Sequence, residues 1–231
     1  MKIQVLGSSS AGNCYILNDE VLIELGLPAL EIKKGLGFDL KKVKFALVSH
    51  KHKDHAKSLK DFNGMFPIIA PADALRDADA EAEGIQAREL KGLKIGEYKI
   101  IPLKMVHDCE CYGYLINWQG ESLGFFTDTC SVDYNLPQLD YLMIEANYSS
   151  EVLHKQLFDA VVSKFLHDRI TRSHLCVEHA LNVALTQEKL KMILLIHLSE
   201  NNAYPAEFKA LFEQKTGVET IVARKGVTIE I

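Results

Sequence analysis

The segment SHKHKDHA at 49–56 places His50, His52, Asp54 and His55 within six residues. It directly follows the apolar run FALV, so these side chains sit on a loop at a strand end. On such a loop, residues at i and i+2 can converge on one ion while the Asp-His pair converges on another. Imidazole and carboxylate together suit Zn²⁺, Mn²⁺ or Fe. The plainer explanation is a solvated polar loop, but the whole chain has nine histidines, and three of them stand here. One loop cannot fill two coordination spheres, so further ligands are expected at other strand ends. His107 after KIIPLKMV, Asp128 after LGFF and His197 after MILLI meet that description. A lone histidine at such a position is more often a hydrogen-bonded core residue; the joint pattern points to metal.

The elements that must position these residues are legible as apolar runs. KIQVLG, CYIL, VLIEL and FALVSH read as short strands. The loop SSSAGN at 8–13 lies between the first two and reads as a hairpin turn, with its amides open to an anion as a second reading. A short helix is expected over 55–62, a strand at FPIIA, and an exposed Ala- and acid-rich helix over 72–83. EYKIIPLKMV, CYGYLINW, SLGFFTD and DYLMIEAN follow as strands. Val152, Leu153, Leu157, Ala160, Val161 and Phe165 are spaced for one helical face. A second helix is expected over 177–189 and a buried strand at LKMILLIHL. AEFKALFEQKTG reads as a helix capped by Gly217, and VETIVARKGVTIEI as a closing hairpin. Strand-rich stretches each followed by helices indicate α/β layers.

At 231 residues the chain is read as a single domain, 1–231, large enough to fold without disulfide or structural metal. Five cysteines without regular spacing argue against a disulfide framework, and Cys109 and Cys111 read as reduced thiols. No apolar run approaches a membrane span, and the start MKIQVLGSSS lacks the apolar region of a secretory signal. A cytoplasmic protein without a membrane partner is therefore expected. The net charge of −5 excludes a general nucleic-acid coat, yet residues 33–60 carry nine lysines against Asp39 and Asp54. Residues 73–89 reverse this, with six acids against two arginines.

The motif H-x-H-x-D-H followed by separate His, Asp and His resembles the metallo-β-lactamase superfamily. The resemblance implies an α/β, four-layer αββα sandwich and a metal-dependent hydrolase. It implies that one metal takes His50, His52 and His107, that the other takes Asp54, His55 and His197, and that Asp128 bridges them. The stretches VLGSSSAGNCYIL, VSHKHKDHAKSL, FFTDT, MIEANYSS, SHLCVEHALNVAL and LLIHLSENN are similar to the YycJ (WalJ) group of this superfamily. The H-L-x-x-E-x-A pattern also resembles RNase Z and PhnP-type phosphodiesterases. By that likeness His174 assists catalysis as a general acid and Asp54 orients the nucleophile; a structural His174 capping the helix over 177–189 is the alternative. Glu24 stands where the family usually shows Asp, and Ser173 and Cys176 stand where Gly and Ser are common. These departures are expected to lie off the ligands.

The activity implied is a phosphodiesterase with two divalent ions, Zn or Mn with Fe as a further option, in which a bridging hydroxide attacks phosphorus. Ala56-Lys57 stands where glyoxalase-like hydrolases usually have Gly-Gly. Only 68 residues separate Asp128 from His197, too few for the extra domain of RNase J. The same interval has no glycine-rich arm like that of RNase Z. A YycJ-like exonuclease on nucleic acid is the leading expectation. A cyclic-nucleotide phosphodiesterase and a non-catalytic metal-binding regulatory module are the alternatives. Expected partners are thus a nucleic acid or nucleotide phosphodiester, with a homodimer admissible.

Overall fold

Along KIQVLG each buried residue alternates with a half-buried one, the period that a strand with one covered face requires. This strand, β1 (Lys2–Gly7), opens a sheet in the computed structural model, which describes residues 1–230. The chain forms two compact units. The first comprises Met1–Lys104, Cys109–Gln119 and the segment from Ala223; the second comprises Met105–Asp108 and Gly120–Val222.

In the first unit, β1 pairs antiparallel with β2 (Cys14–Leu17), and β2 with β3 (Val21–Ile23). The sheet continues in parallel through β4 (Phe45–Leu47), β5 (Ile68–Ala70) and β6 (Ile85–Gln86). Helices α1 (Ala29–Gly35), α2 (Lys53–Ala56), α3 (Leu59–Phe62) and α4 (Ala72–Asp77) connect these strands. Ile32, Phe62 and Leu75 from three of them are buried against Ile16, Leu22, Ala46 and Ile68 of the sheet. Each such side chain contributes about 1.5–3 kcal/mol by leaving water. An antiparallel meander of β7 (Leu93–Ile95), β8 (Tyr98–Lys104) and β9 (Tyr112–Trp118) completes the unit.

In the second unit, β10 (Glu121–Phe126), β11 (Tyr141–Glu145), β12 (Met192–Ile196) and β13 (Glu219–Val222) form a parallel array. The central strands β11 and β12 are buried throughout, as parallel strands covered on both faces are. Helices α5 (Ser150–Phe158), α6 (Lys164–Ser173), α7 (Val177–Leu185) and α8 (Pro205–Thr216) belong to this unit. Helix α8 ends on Gly217 in the left-handed conformation, as its sequence predicts.

The structure departs from the sequence reading in several elements. The helix expected over 55–62 is two short helices, α2 and α3, separated at Lys57 and Ser58, where the Ser58 hydroxyl donates to the Leu27 carbonyl. Helix α4 stops at Asp77 rather than running to 83, and Asp79 takes a left-handed φ of 54°. The single helix implied by the spacing of 152–165 is broken between α5 and α6. Ala160 is left-handed there, and Ser163 accepts from the Leu166 amide to start α6. The closing hairpin does not form: β13 pairs with β12, while β14 (Thr228–Glu230) pairs antiparallel with β1.

Candidate functional site

The first unit holds His50, His52, Asp54 and His55. His50 lies three residues past β4, His52 is the N-cap of α2, and Asp54 and His55 stand on α2 itself. The His50 ring centroid lies 4.6 Å from that of His52 and 4.3 Å from that of His55, so the three imidazoles form one cluster. Cys109 Sγ lies 4.0 Å from His52 Nε2.

Backbone contacts hold this loop. Asn13 donates its amide to the Asp54 carbonyl at 2.8 Å, and its side-chain Nδ2 reaches the same oxygen at 3.2 Å. The Leu25 amide donates to the His55 carbonyl. Gly26 lies so close that a Cβ there would stand 1.7 Å from the Asp54 oxygen. The amides of Ala11, Gly12 and Asn13 are all given to protein acceptors. The 8–13 turn is therefore a brace for the histidine loop, and these amides do not cradle an anion.

Buried groups set the histidine tautomers. Glu24 is fully buried with φ of 66° just past β3, and its Oε1 lies 3.3 Å from His55 Nδ1 while its carboxylate accepts the Ser49 amide. An acceptor on Nδ1 puts the ring proton there and the lone pair on Nε2. Asn13 Nδ2 at 3.1 Å from that Nε2 agrees with this assignment. His55 Nε2 and Asp54 Oδ2 then face each other at 3.2 Å. In the same unit, Ser49 Oγ lies 2.9 Å from His50 Nδ1.

The second unit holds the remaining predicted residues. Asp128 lies two positions past β10 and His197 directly follows β12. Both have left-handed φ, 46° and 51°, which turns them sharply off their strands. The strand-end placement is as expected for both, and His107 lies three residues past β8. His107 Nδ1 donates to the Ser173 carbonyl at 3.1 Å, so its lone pair is also on Nε2, 3.2 Å from Asp108 Oδ1.

Asp128, His174, His197 and Glu145 each offer a donor atom within 4.8 Å of the others, a group able to hold a cation. Glu145 was not among the residues singled out from the sequence. It ends β11, is fully buried, and accepts from His174 Nδ1 at 2.7 Å. His197 Nδ1 lies 3.2 Å from the same oxygen and 3.3 Å from Asp128 Oδ1. The second Glu145 oxygen accepts the amides of Leu175 and Thr129. Asn147 donates to the His197 carbonyl at 2.9 Å and stays within 3.3 Å of its Nδ1.

Burial would raise the Glu145 carboxyl. The His174 and His197 imidazoles outweigh it and hold the group below the usual carboxylate range. Burial likewise disfavours the His174 cation, but Glu145 and Asp128 raise its pKa above the ordinary imidazole value. His174 is the C-cap of α6, and the N-cap of α7 is Cys176. Its ring serves Glu145, so the helix-capping alternative does not hold.

Two sequence expectations are corrected here. Glu24 and Ser173 were expected to lie off the proposed ligands, but Glu24 orients His55 and the Ser173 carbonyl orients His107. The strand-end rule that found Asp128 and His197 applies equally to Glu24 and Glu145, and that signal was available in LIEL and MIEA.

Residues 25–198 match a family model described as "Beta-lactamase superfamily domain". The chain belongs to this family. No curated protein matches the chain. Among solved structures it is similar to the metallo-beta-lactamase fold protein YhfI from Bacillus subtilis, at 18% identity and TM-score 0.76, covering 100% of this chain and 99% of that one. Human tRNase Z, short form, is similar at 14% identity and TM-score 0.70, with 100% and 99% covered. A diphosphatase from the PhnP family is similar at 16% identity and TM-score 0.69, with 100% and 97% covered. The fold is the metallo-β-lactamase fold, α/β with two mixed sheets and helices, consistent with the expected sandwich. As a beta-lactamase superfamily member the chain carries a candidate His/Asp metal site. Among the described residues no helix is long and apolar enough to cross a membrane.

The donor set fits a divalent cation. His55 and His107 each have Nδ1 held by a protein acceptor, the arrangement that fixes the ring orientation of metal-binding imidazoles. In each this leaves on Nε2 the lone pair that a cation would take, beside a carboxylate oxygen at 3.2 Å; at His55 the Asn13 Nδ2 group also lies 3.1 Å from that nitrogen.

Proposed function

We propose that this chain is a dinuclear metal-dependent phosphodiesterase acting on nucleic acid, a YycJ-like exonuclease that works as a single domain in the cytoplasm. The observation that carries the reading is the ordering of the histidines: Glu24 and the Ser173 carbonyl take the Nδ1 protons of His55 and His107, which leaves Nε2 as the atom that would ligate. On the family motif, His50, His52 and His107 would hold one ion, Asp54, His55 and His197 the other, with Asp128 shared. Zn²⁺ or Mn²⁺ bound there would polarise a phosphoryl group and supply an activated water at neutral pH.

The chain's own groups do the rest. Asp54 would hold its ion and orient the nucleophile. His174, anchored through Nδ1 to Glu145, keeps its Nε2 proton for the leaving oxygen. Its side chain is 23% exposed, unlike the fully buried Glu145 that holds it, so a substrate can approach it.

A second reading, a small cyclic nucleotide as substrate, is favoured by one observation. Lysines of the basic run pair with the acidic run: Lys51 with Asp73 at 3.4 Å and Lys60 with Asp79 at 2.7 Å. Much of the local positive charge is thereby answered within the protein. The deciding experiment compares Mn²⁺- and Zn²⁺-loaded protein on single- and double-stranded DNA, RNA, cyclic mononucleotides and an aryl phosphodiester. Turnover of a polymer far above that of the cyclic nucleotides supports the nuclease; the reverse order supports the small-nucleotide enzyme. No turnover of any phosphodiester overturns both.

A further inference from the structure

The hairpin of α5 and α6 presents large apolar side chains to water. Phe158 is 89% exposed, Val161 73%, Phe165 81% and Leu166 41%, all within nine consecutive residues. Exposed apolar residues scattered singly need no explanation, but a contiguous group of this size marks a contact surface. The hairpin beneath them is well held. Leu153 of α5 and Ile170 of α6 share a small core with Tyr148 and Cys176, with Val162 packed against it. The His154 and His167 rings stack across the two helices at 5.2 Å, and Lys164 pairs with Asp168 at 2.9 Å. The phenylalanines are therefore displayed by an ordered element.

Helical spacing then adds charge. Phe165, Arg169 and Arg172 stand at i, i+4 and i+7 of α6, on one exposed face. Among the described residues neither arginine has an acidic partner within 4 Å. That differs from Lys42, Lys44, Lys51 and Lys60 of the basic run, which all have one. His174 is the C-cap of the same helix, about 14 Å of axial rise beyond Phe165 and half a turn away from the face that carries the stripe. Aromatic rings that stack bases, followed by guanidinium groups that take phosphates, are how single-stranded nucleic acid is held without sequence preference.

We propose that the exposed face of the α5–α6 hairpin is the binding surface for single-stranded nucleic acid. Phe158 and Phe165 stack bases there, and Arg169 and Arg172 hold the phosphates. The proposal rests on the nuclease reading and names the strand it takes. It commits the patch to a polyanion because Arg169 and Arg172 are exposed on α6 without an acidic partner, while the acid within 158–166, Asp159, lies at the α5 end beside Phe158.

The test measures binding of a fluorescein-labelled oligothymidylate to the full-length chain by anisotropy, in EDTA so that the strand stays intact. Phe158→Ala and Phe165→Ala are each expected to weaken binding by about 5- to 100-fold, the usual cost of one lost stacking platform. Phe165→Trp should restore it. Arg169→Ala with Arg172→Ala should flatten the log–log salt dependence by about 1.4, at roughly 0.7 per single-strand phosphate contact. Phe38→Ala, at a 63% exposed phenylalanine outside the hairpin, should bind as wild type does. Thermal melts confirm that each variant is folded. Unchanged affinity and salt slope in the hairpin variants overturn the proposal. So does a change from dimer to monomer by light scattering with oligonucleotide binding intact, which assigns the patch to a second copy of the chain. Because this readout is independent of turnover, the two claims separate. Loss of binding in a protein that hydrolyses no phosphodiester retires the nuclease and leaves this surface standing. Hydrolysis of nucleic acid with unaltered binding in the variants does the opposite.

Discussion

Replacing Glu145 with glutamine removes one charge from a fully buried position and breaks a set of bonds that only a carboxylate satisfies. Glu145 accepts from His174 Nδ1 at 2.7 Å on one oxygen and from the Leu175 and Thr129 amides, at 3.1 and 3.4 Å, on the other. A glutamine amide group must face either the imidazole or those two N–H donors, so at least one donor is set against another. An unsatisfied buried donor costs about 1–3 kcal/mol, and the lost charge-assisted bond to His174 about 1.5–3 kcal/mol. With the carboxylate gone, burial still disfavours the His174 cation and the main group opposing it is lost, so its pKa falls. A neutral His174 cannot protonate a leaving oxygen. General-acid catalysis contributes about 10²–10⁴-fold, or roughly 3–5 kcal/mol of barrier, and it matters most when the leaving group is a sugar alkoxide. Glu145→Gln and His174→Ala should therefore both lose about 10²-fold or more on nucleotide esters and much less on an aryl phosphodiester, whose phenolate leaves unaided. The assay is the pair of wild-type-to-variant rate ratios at matched metal content, with an NMR titration of His174 in the metal-free chain. Equal losses on the two esters would refute the general-acid role. A His174 that titrates at or below its ordinary value in the wild type would refute the charge argument.

Three further outcomes follow from the braces around the histidine loop and from the lysine run. Gly26→Ala drives a Cβ into the Asp54 carbonyl and should lower stability by several kcal/mol in denaturant unfolding; wild-type stability would show that the loop relaxes freely. Asn13→Ala removes the Nδ2 contacts to the Asp54 carbonyl and to His55 Nε2 but keeps the backbone amide bond, and should cost about 0.5–1.5 kcal/mol by the same measurement, whereas a neutral result would mean the side chain does not brace the loop. If the substrate is a polymer, Lys53→Ala with Lys57→Ala should flatten the salt dependence of binding by about one unit per lost phosphate contact, and Lys51→Ala by less because Asp73 already answers its charge. An unchanged slope would favour the small-nucleotide substrate.

The sequence disclosed those features whose signal is local. Apolar runs bounded by turn residues located β1, β2, β8 to β12 and α8, and a polar residue after such a run located Asp128 and His197. Glu145 escaped, and the role of Glu24 was missed, because one acid at the edge of an apolar run reads equally well as the end of a strand, and the histidines they orient lie 29 and 31 residues away in the chain. Asn13 and Asn147 carry no periodic signal, and their role appears only once the Asp54 and His197 carbonyls are in place. Strand pairing was the least legible feature. VETIVARKGVTIEI reads locally as a hairpin, yet β13 and β14 find different partners because pairing is decided by distant strands. The spacing of 152–165 was correctly helical in composition. It did not reveal that the chain turns at Ala160 and leaves Phe158, Val161 and Phe165 in water.

The central claim is that ordered imidazoles and carboxylates hold two ions, and counting those ions tests it most directly. The full-length chain is equilibrated with Zn²⁺ or Mn²⁺, freed of excess metal and assayed by elemental analysis, beside Asp128→Ala and His107→Ala. Two ions per chain are predicted for the wild type. Asp128→Ala should disturb both ions, because the proposed site shares that residue between them, and His107→Ala should mainly empty one. At most one ion per wild-type chain under metal-replete conditions would contradict the account.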